Sequence, residues 1–183
     1  THMGIAEGFV EKVASNRRIL GEDGKVKHIR WTASRDPKIR AFPAGTIDPK
    51  LKLLTFWAGD KPSAAVSWYA THPQSYYRTG GANPDFPGLA RNAVEKATKV
   101  PLIHFNGAGG NIGAGKWNDG SRENRQILAD RVAAGMQRAW ASTKPFSITA
   151  DDVAWAVEPV LLPAAPHLNE ETLKKTLADE FSS

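Results

Sequence analysis

The chain has 183 residues, 41% hydrophobic and 23% charged, with 24 Lys and Arg against 19 Asp and Glu and a formal net charge of +5. That balance belongs to a globular domain able to bury a core, and no low-complexity tract or like-charge run marks a tail. Without cysteine, disulfides and thiolate metal sites are excluded, and no stretch approaches the ~18 apolar residues of a membrane-spanning helix.

Thr1-His2-Met3 looks like a cloning remnant, expected to have replaced the native N-terminus and any targeting segment with it. Residues 4–183 are expected to form a single α/β domain. "GIAEGFVEKVASN" places Ile5, Phe9 and Val13 four residues apart, which predicts a helix ending near Asn16. "KVKHIRWTA" (25–33) alternates as a half-exposed strand does. The loop after it, with Pro37, Pro43 and Pro49, is long for a compact domain, so it is functional or wrapped over another part of the protein.

"LKLLTFWAG" and "SAAVSWYATH" are β-rich runs split by Gly59-Asp60-Lys61-Pro62, a hairpin signal. Pro87 suits the first turn of a helix carrying Leu89, Ala93, Val94 and Ala97. "VPLIHF" (100–105) reads as a short strand leading into a glycine run. Ser121 is a candidate N-cap for the longest helix, with Leu128, Val132, Met136 and Trp140 along one stripe. "FSITADDVAWAVEPVLL" returns to β character, and Asn169 is placed to cap a last helix bearing Leu173, Leu177 and Phe181. Strands alternating with helices predict an α/β layer, and the hairpin predicts a mixed sheet.

Three features carry candidate chemistry. In "NGAGGNIGAGKW" (106–117), Gly110, Gly115 and Lys116 fit a phosphate loop up to the position where Ser or Thr should hold magnesium, but Trp117 stands there. The following Trp-Asn-Asp-Gly-Ser resists the helix that such a loop must open. The run reads better as a strand end followed by left-handed or tight backbone, either a structural turn or one wall of a cleft. His72 ends an apolar strand before a proline, as a capping histidine or a metal ligand. His104, on another apolar strand, is a further imidazole that nothing in the spacing ties to it. Arg17 and Arg18, just past the predicted helix, either face solvent at its C-terminus or direct a guanidinium at an oxyanion.

In chain order, "SNRR", "GTIDPKLKLLTF", "VSWYATHPQS", "DFPGLA" and "FNGAGGNIGAG" resemble successive segments of the neutral (alkaline, non-lysosomal) ceramidase family, over residues 5 to 165. The resemblance implies an α/β fold, a mixed sheet with flanking helices, within a larger catalytic domain. It implies an exported, zinc-dependent amide hydrolase acting on N-acyl sphingoid lipids, with zinc held by two histidines, a glutamate and a tyrosine. His72 matches the second zinc histidine, and Arg17 is the closer match to the active-site arginine, with Arg18 its neighbour. Asn106, Gly110, Asn111 and Gly113 then belong to the substrate-binding wall. The other zinc ligands would lie upstream and downstream of these residues, so weak or absent zinc binding is expected of this chain alone. The family has a serine where Gly113 stands. Either zinc-bound water attacks directly, or the substrate and reaction differ.

Two rival readings accompany this one. The chain is a ceramidase-like module that binds a lipid or glycan without catalysis, in keeping with the missing serine. Alternatively its basic surface, with Trp57, Trp68, Trp117 and Tyr76-Tyr77, stacks on acidic partners such as headgroups or nucleic acid. Nucleic acid is not expected as a partner, because the charge is scattered beyond the doublets Arg17-Arg18 and Lys174-Lys175, and because Trp57 and Trp68 sit in apolar runs that suit a core.

Overall fold

The predicted N-terminal helix is a strand, β1 (His2–Phe9). In the computed structural model, which describes residues 1–165 and 168–181, Gly4, Ala6 and Gly8 face inward and Ile5, Glu7 and Phe9 face outward. A spacing of four is an even number, so Ile5 and Phe9 share a face in a strand as well as in a helix. The small inward residues admit a helix at close range. A Cβ on Gly8 would lie 1.9 Å from the Gly135 carbonyl oxygen, and one on Gly135 would lie 2.4 Å from Val10 Cγ2.

The chain divides into two units, Thr1–Thr149 and Ala150–Ser183. In the first, β1 is followed by β2 (Ser15–Asn16) and by the antiparallel pair β3 (Arg18–Leu20) and β4 (Val26–Ile29). Arg17 therefore lies in the bend between β2 and β3 and Arg18 opens β3, so neither follows a helix. The proline-containing loop holds a short helix, α1 (Pro37–Ala41), capped by Asp36, whose Oδ1 accepts from Lys38 N at 2.8 Å. The hairpin is formed by β5 (Lys50–Ala58) and β6 (Lys61–Tyr69), turning at Gly59 with φ of +58°. Next come α2 (Asp85–Thr98), β7 (Leu102–Asn106), β8 (Ile112–Gly113), α3 (Arg122–Ser142) and β9 (Phe146–Ser147). Ser121 caps α3 as expected, its Oγ accepting from Asn124 N at 3.2 Å.

The main sheet has the order β7-β6-β5-β1-β9. Only the β6–β7 pairing is parallel, so the fold is α/β with a mixed sheet and flanking helices. Leu51 and Leu53 of β5, with Ala65 and Tyr69 of β6, form one core with Phe86, Ala90 and Val94 of α2 and Leu128, Val132 and Met136 of α3. Trp57 stacks on Trp140 with ring centroids 6.5 Å apart. Trp68, expected in the core, is 36% exposed on the opposite face, where it stacks on Phe105 at 6.1 Å.

In the second unit, α4 (Glu170–Phe181) begins after Asn169, whose Oδ1 accepts from Thr172 N at 3.0 Å. The Phe181 side chain lies outside the described residues. The β character expected over 146–162 is confined to β9, which is followed by a 3-10 turn at Ala150–Asp152 and by unpaired chain. Val153, Trp155 and Val157 alternate as a strand would, yet they are exposed. An alternating pattern becomes a strand only when an edge pairs with it.

Candidate functional site

The glycine run is clasped from two sides. On one side β8 pairs with β2, placing Ser15 opposite Gly113 and Asn16 opposite Ile112. Ser15 Oγ donates to the Gly113 carbonyl at 3.0 Å and accepts from Lys116 N at 3.2 Å, and Arg17 N donates to the Asn111 carbonyl at 2.7 Å. On the other side the end of β6 passes close by. His72 forms an isolated parallel bridge with Gly113, its N–H donating to the Ile112 carbonyl at 3.1 Å. Three segments remote in sequence thus meet at Gly113.

The small cleft at this meeting point is lined by Arg17, Trp31, Thr32, His72, Gln74, Gly113 and Ala114. Of the residues singled out in the sequence, the structure brings Arg17, His72 and Gly113 together here. Arg18 turns aside, its N and Nη1 meeting Asn111 Oδ1 at 3.1 and 3.5 Å. The Asn111 side chain is therefore engaged with Arg18. Asn106 ends β7 in a separate groove with Pro84, Arg91 and His104, and Gly110 is exposed at the loop tip. His104 pairs with Ser67, not with His72, its Nδ1 lying 2.8 Å from Ser67 Oγ.

No glycine from 107 to 115 adopts a left-handed φ, contrary to the expected backbone. What the run requires is close approach. A Cβ on Gly115 would lie 2.2 Å from the Trp31 carbonyl oxygen, and one on Gly107 would lie 3.1 Å from Ala70 N. Gly113 differs, since a Cβ there would meet only the Arg17 stem, at 3.7 and 3.9 Å.

Lys116, the lysine of the apparent phosphate loop, faces protein carbonyls. Its Nζ donates to the carbonyls of Arg40 and Phe42. Burial, and then the Arg30 and Arg40 charges, lower its pKa. Arg30, 1% exposed, donates to the carbonyls of Ile39 (3.2 Å), Asn16 (3.2 Å), Phe42 (2.6 Å) and Pro43 (2.8 Å). The two cations thereby satisfy carbonyls at and beyond the end of α1. They tie the proline-containing loop to the end of β4 and to the end of the glycine run.

The cleft offers a guanidinium, an imidazole, a carboxamide and a hydroxyl, and no carboxylate is among its lining residues. Such a set can receive an anion or the carbonyl of an amide. It does not fit zinc by itself. Among the described residues no group of three or more His, Cys, Asp or Glu is placed to hold a metal ion, and His72 is the sole imidazole in the lining, whereas zinc takes about four such donors. Sequence reasoning missed Trp31, Thr32 and Gln74. Gln74 was accessible as the third residue of His-Pro-Gln-Ser, but Trp31 and Thr32 reach the cleft only through tertiary pairing.

No family model matches the chain, and no curated protein matches its sequence. Among solved structures it is similar to "Ceramidase complexed with C2", with a TM-score of 0.57 and 18% identity over 77% of this chain and 22% of that one. It is also similar to neutral ceramidase from Pseudomonas aeruginosa, with a TM-score of 0.56 and 19% identity over 77% and 22% of the two chains. The chain thus spans 22% of the length of each of these ceramidases. Over the stretch they share, its fold is ceramidase-like.

Proposed function

We propose that this chain is part of the catalytic domain of a ceramidase-like amide hydrolase acting on amphipathic amides of the N-acyl lipid class. The convergence of Arg17, His72 and Gly113 in one cleft, from three segments remote in sequence, carries this reading. Arg17 steadies the negative charge that develops on the amide carbonyl oxygen. Gln74 and Thr32 orient the amide beside it. Gly113 supplies no hydroxyl, so the attacking group is water. Zinc, expected in the longer protein, needs donors besides His72, and those donors would come from outside these residues.

The test is fatty-acid release from N-acyl amides by a longer protein containing this chain, with and without Arg17→Ala and His72→Ala. The reading expects both substitutions to lower kcat by roughly a hundredfold or more. Full activity in either variant removes that residue from the chemistry. A second reading, a non-catalytic module that binds a lipid or glycan, is favoured by the absent hydroxyl at Gly113. It is the outcome if the metal-loaded longer protein binds N-acyl lipids or glycans saturably and releases no acid.

A further inference from the structure

Asp85, the first residue of α2, has a φ of +50°. That is the left-handed region, which residues with a Cβ seldom occupy. Its carboxylate is nevertheless fully engaged. Oδ1 accepts from Ser75 N (3.0 Å), Ser75 Oγ (2.6 Å) and Phe86 N (2.7 Å), and Oδ2 accepts from Tyr76 N (3.0 Å). Asp85 and Ser75 are 7% and 6% exposed, so these bonds form away from water. Asn83 Oδ1 accepts from Asp85 N at 3.0 Å and holds the strained residue from behind.

The loop gripped in this way is the one that leaves β6 through His72. At its start His72 N donates to the Ile112 carbonyl, and Gln74 lines the cleft. Residues 72–76 are thus fixed at both ends, by the glycine run and by Asp85. Asp85 itself is not among the cleft-lining residues. We propose that Asp85 is a positioning residue, whose carboxylate holds the 72–76 loop so that His72 and Gln74 face Arg17 and Gly113. The inference rests on this cleft being the functional site, as proposed above. An outlying backbone conformation maintained by four hydrogen bonds is the kind of strain that persists where the surrounding structure over-determines it.

A simpler account gives Asp85 only the task of adopting a positive φ. Asn and Gly adopt that conformation at least as readily, so each would then serve as well as Asp. If the carboxylate does the holding, neither serves. Three donors converge on Oδ1 and one on Oδ2, so a carboxamide opposes the Tyr76 N–H with an NH2 group, and glycine accepts from none of the four.

The two accounts separate by NMR of the full chain carrying Asp85→Asn or Asp85→Gly. The reading expects amide exchange to accelerate roughly tenfold or more at Tyr76 in both variants, and at Ser75 in Asp85→Gly. It also expects the His72 ring and Gln74 side-chain signals to move toward random-coil positions while β5 and α3 amides stay protected. Wild-type exchange and signals in either variant overturn the proposal. Should both variants unfold, Ser75→Ala removes one of the four donors, the Ser75 hydroxyl, and leaves the Ser75 backbone N–H in place. A smaller displacement of the His72 and Gln74 signals in the same direction is then expected, and unmoved signals overturn the proposal. None of these readouts involves substrate, so absence of amide hydrolysis would refute the hydrolase reading without touching them.

Discussion

Gly113 and Gly115 stand two residues apart in one loop, yet the structure assigns them opposite tolerances. Gly115→Ala would place a Cβ 2.2 Å from the Trp31 carbonyl oxygen and 3.1 Å from Arg30 Cβ. Neither neighbour can retreat cheaply, because the Arg30 guanidinium is tied to four carbonyls. Overpacking of this kind costs about 1–3 kcal/mol, and a clash with backbone lies at the upper end. Gly113→Ala meets only the flexible Arg17 stem, no nearer than 3.7 Å, and its φ is not left-handed. Removing a glycine from the unfolded chain then leaves stability unchanged or raises it by about 0.4–1 kcal/mol. Urea unfolding followed by far-UV circular dichroism, with the slope held common, measures both changes. A Gly113→Ala loss above about 1.5 kcal/mol, or a Gly115→Ala loss within about 0.5 kcal/mol, would refute the packing argument. If the argument holds, Gly113→Ser introduces a hydroxyl beside Arg17 without disturbing the core.

Burial, and then the Arg91 charge, hold the His104 imidazole down to about 4. The unfolded chain binds that proton from its ordinary value of 6.5 downward while the folded protein does not, so stability falls as pH drops from 6.5 to about 4. The total is about 3 kcal/mol. His104→Gln should flatten the slope in urea midpoints across this window, and an unchanged slope would assign it to other groups. Hydrogen bonds from Lys50 and Lys52, at 2.6 and 2.8 Å, hold the Glu7 carboxyl down to about 2. Its contribution is present above its ordinary value of 4.5 and is lost as pH falls through about 2. Glu7→Gln should remove that acid-side loss, an effect that weakens in high salt because the pair is exposed; identical acid profiles for the two proteins would count against it. Calorimetric titration of this chain with zinc should show no tight one-to-one binding, and His72→Ala should not change the result. A sub-micromolar one-to-one site would mean that the remaining ligands are in the chain after all.

Much of the fold was legible because it is specified locally. Gly59-Asp60 marks the hairpin, Ser121 and Asn169 carry cap oxygens at fixed offsets, and "VPLIHF" is short, apolar and bounded. The errors have one cause, which is that local pattern does not name its partner. Ile5 and Phe9 fit helix and strand alike, and the close contact of Gly8 with Gly135 on α3 decides between them. Val153, Trp155 and Val157 alternate as a strand does, but no edge takes them up.

The candidate site divides along the same line. The residue types were visible from the sequence alone: a histidine ending a strand, paired arginines, and a glycine run that resists the helix of a phosphate loop. Which of them meet was not visible. The pairing of β2 with β8 and the bridge from His72 to Gly113 join positions about 40 to 100 residues apart, long-range closures that no local propensity specifies. Those closures bring Arg17 to the cleft, turn Arg18 onto Asn111, and commit Lys116 to carbonyls of the proline-containing loop. Composition and spacing determined what chemistry this chain carries. Tertiary pairing alone determined where that chemistry is assembled, because a side chain acquires its neighbours only when remote backbone segments hydrogen-bond to one another.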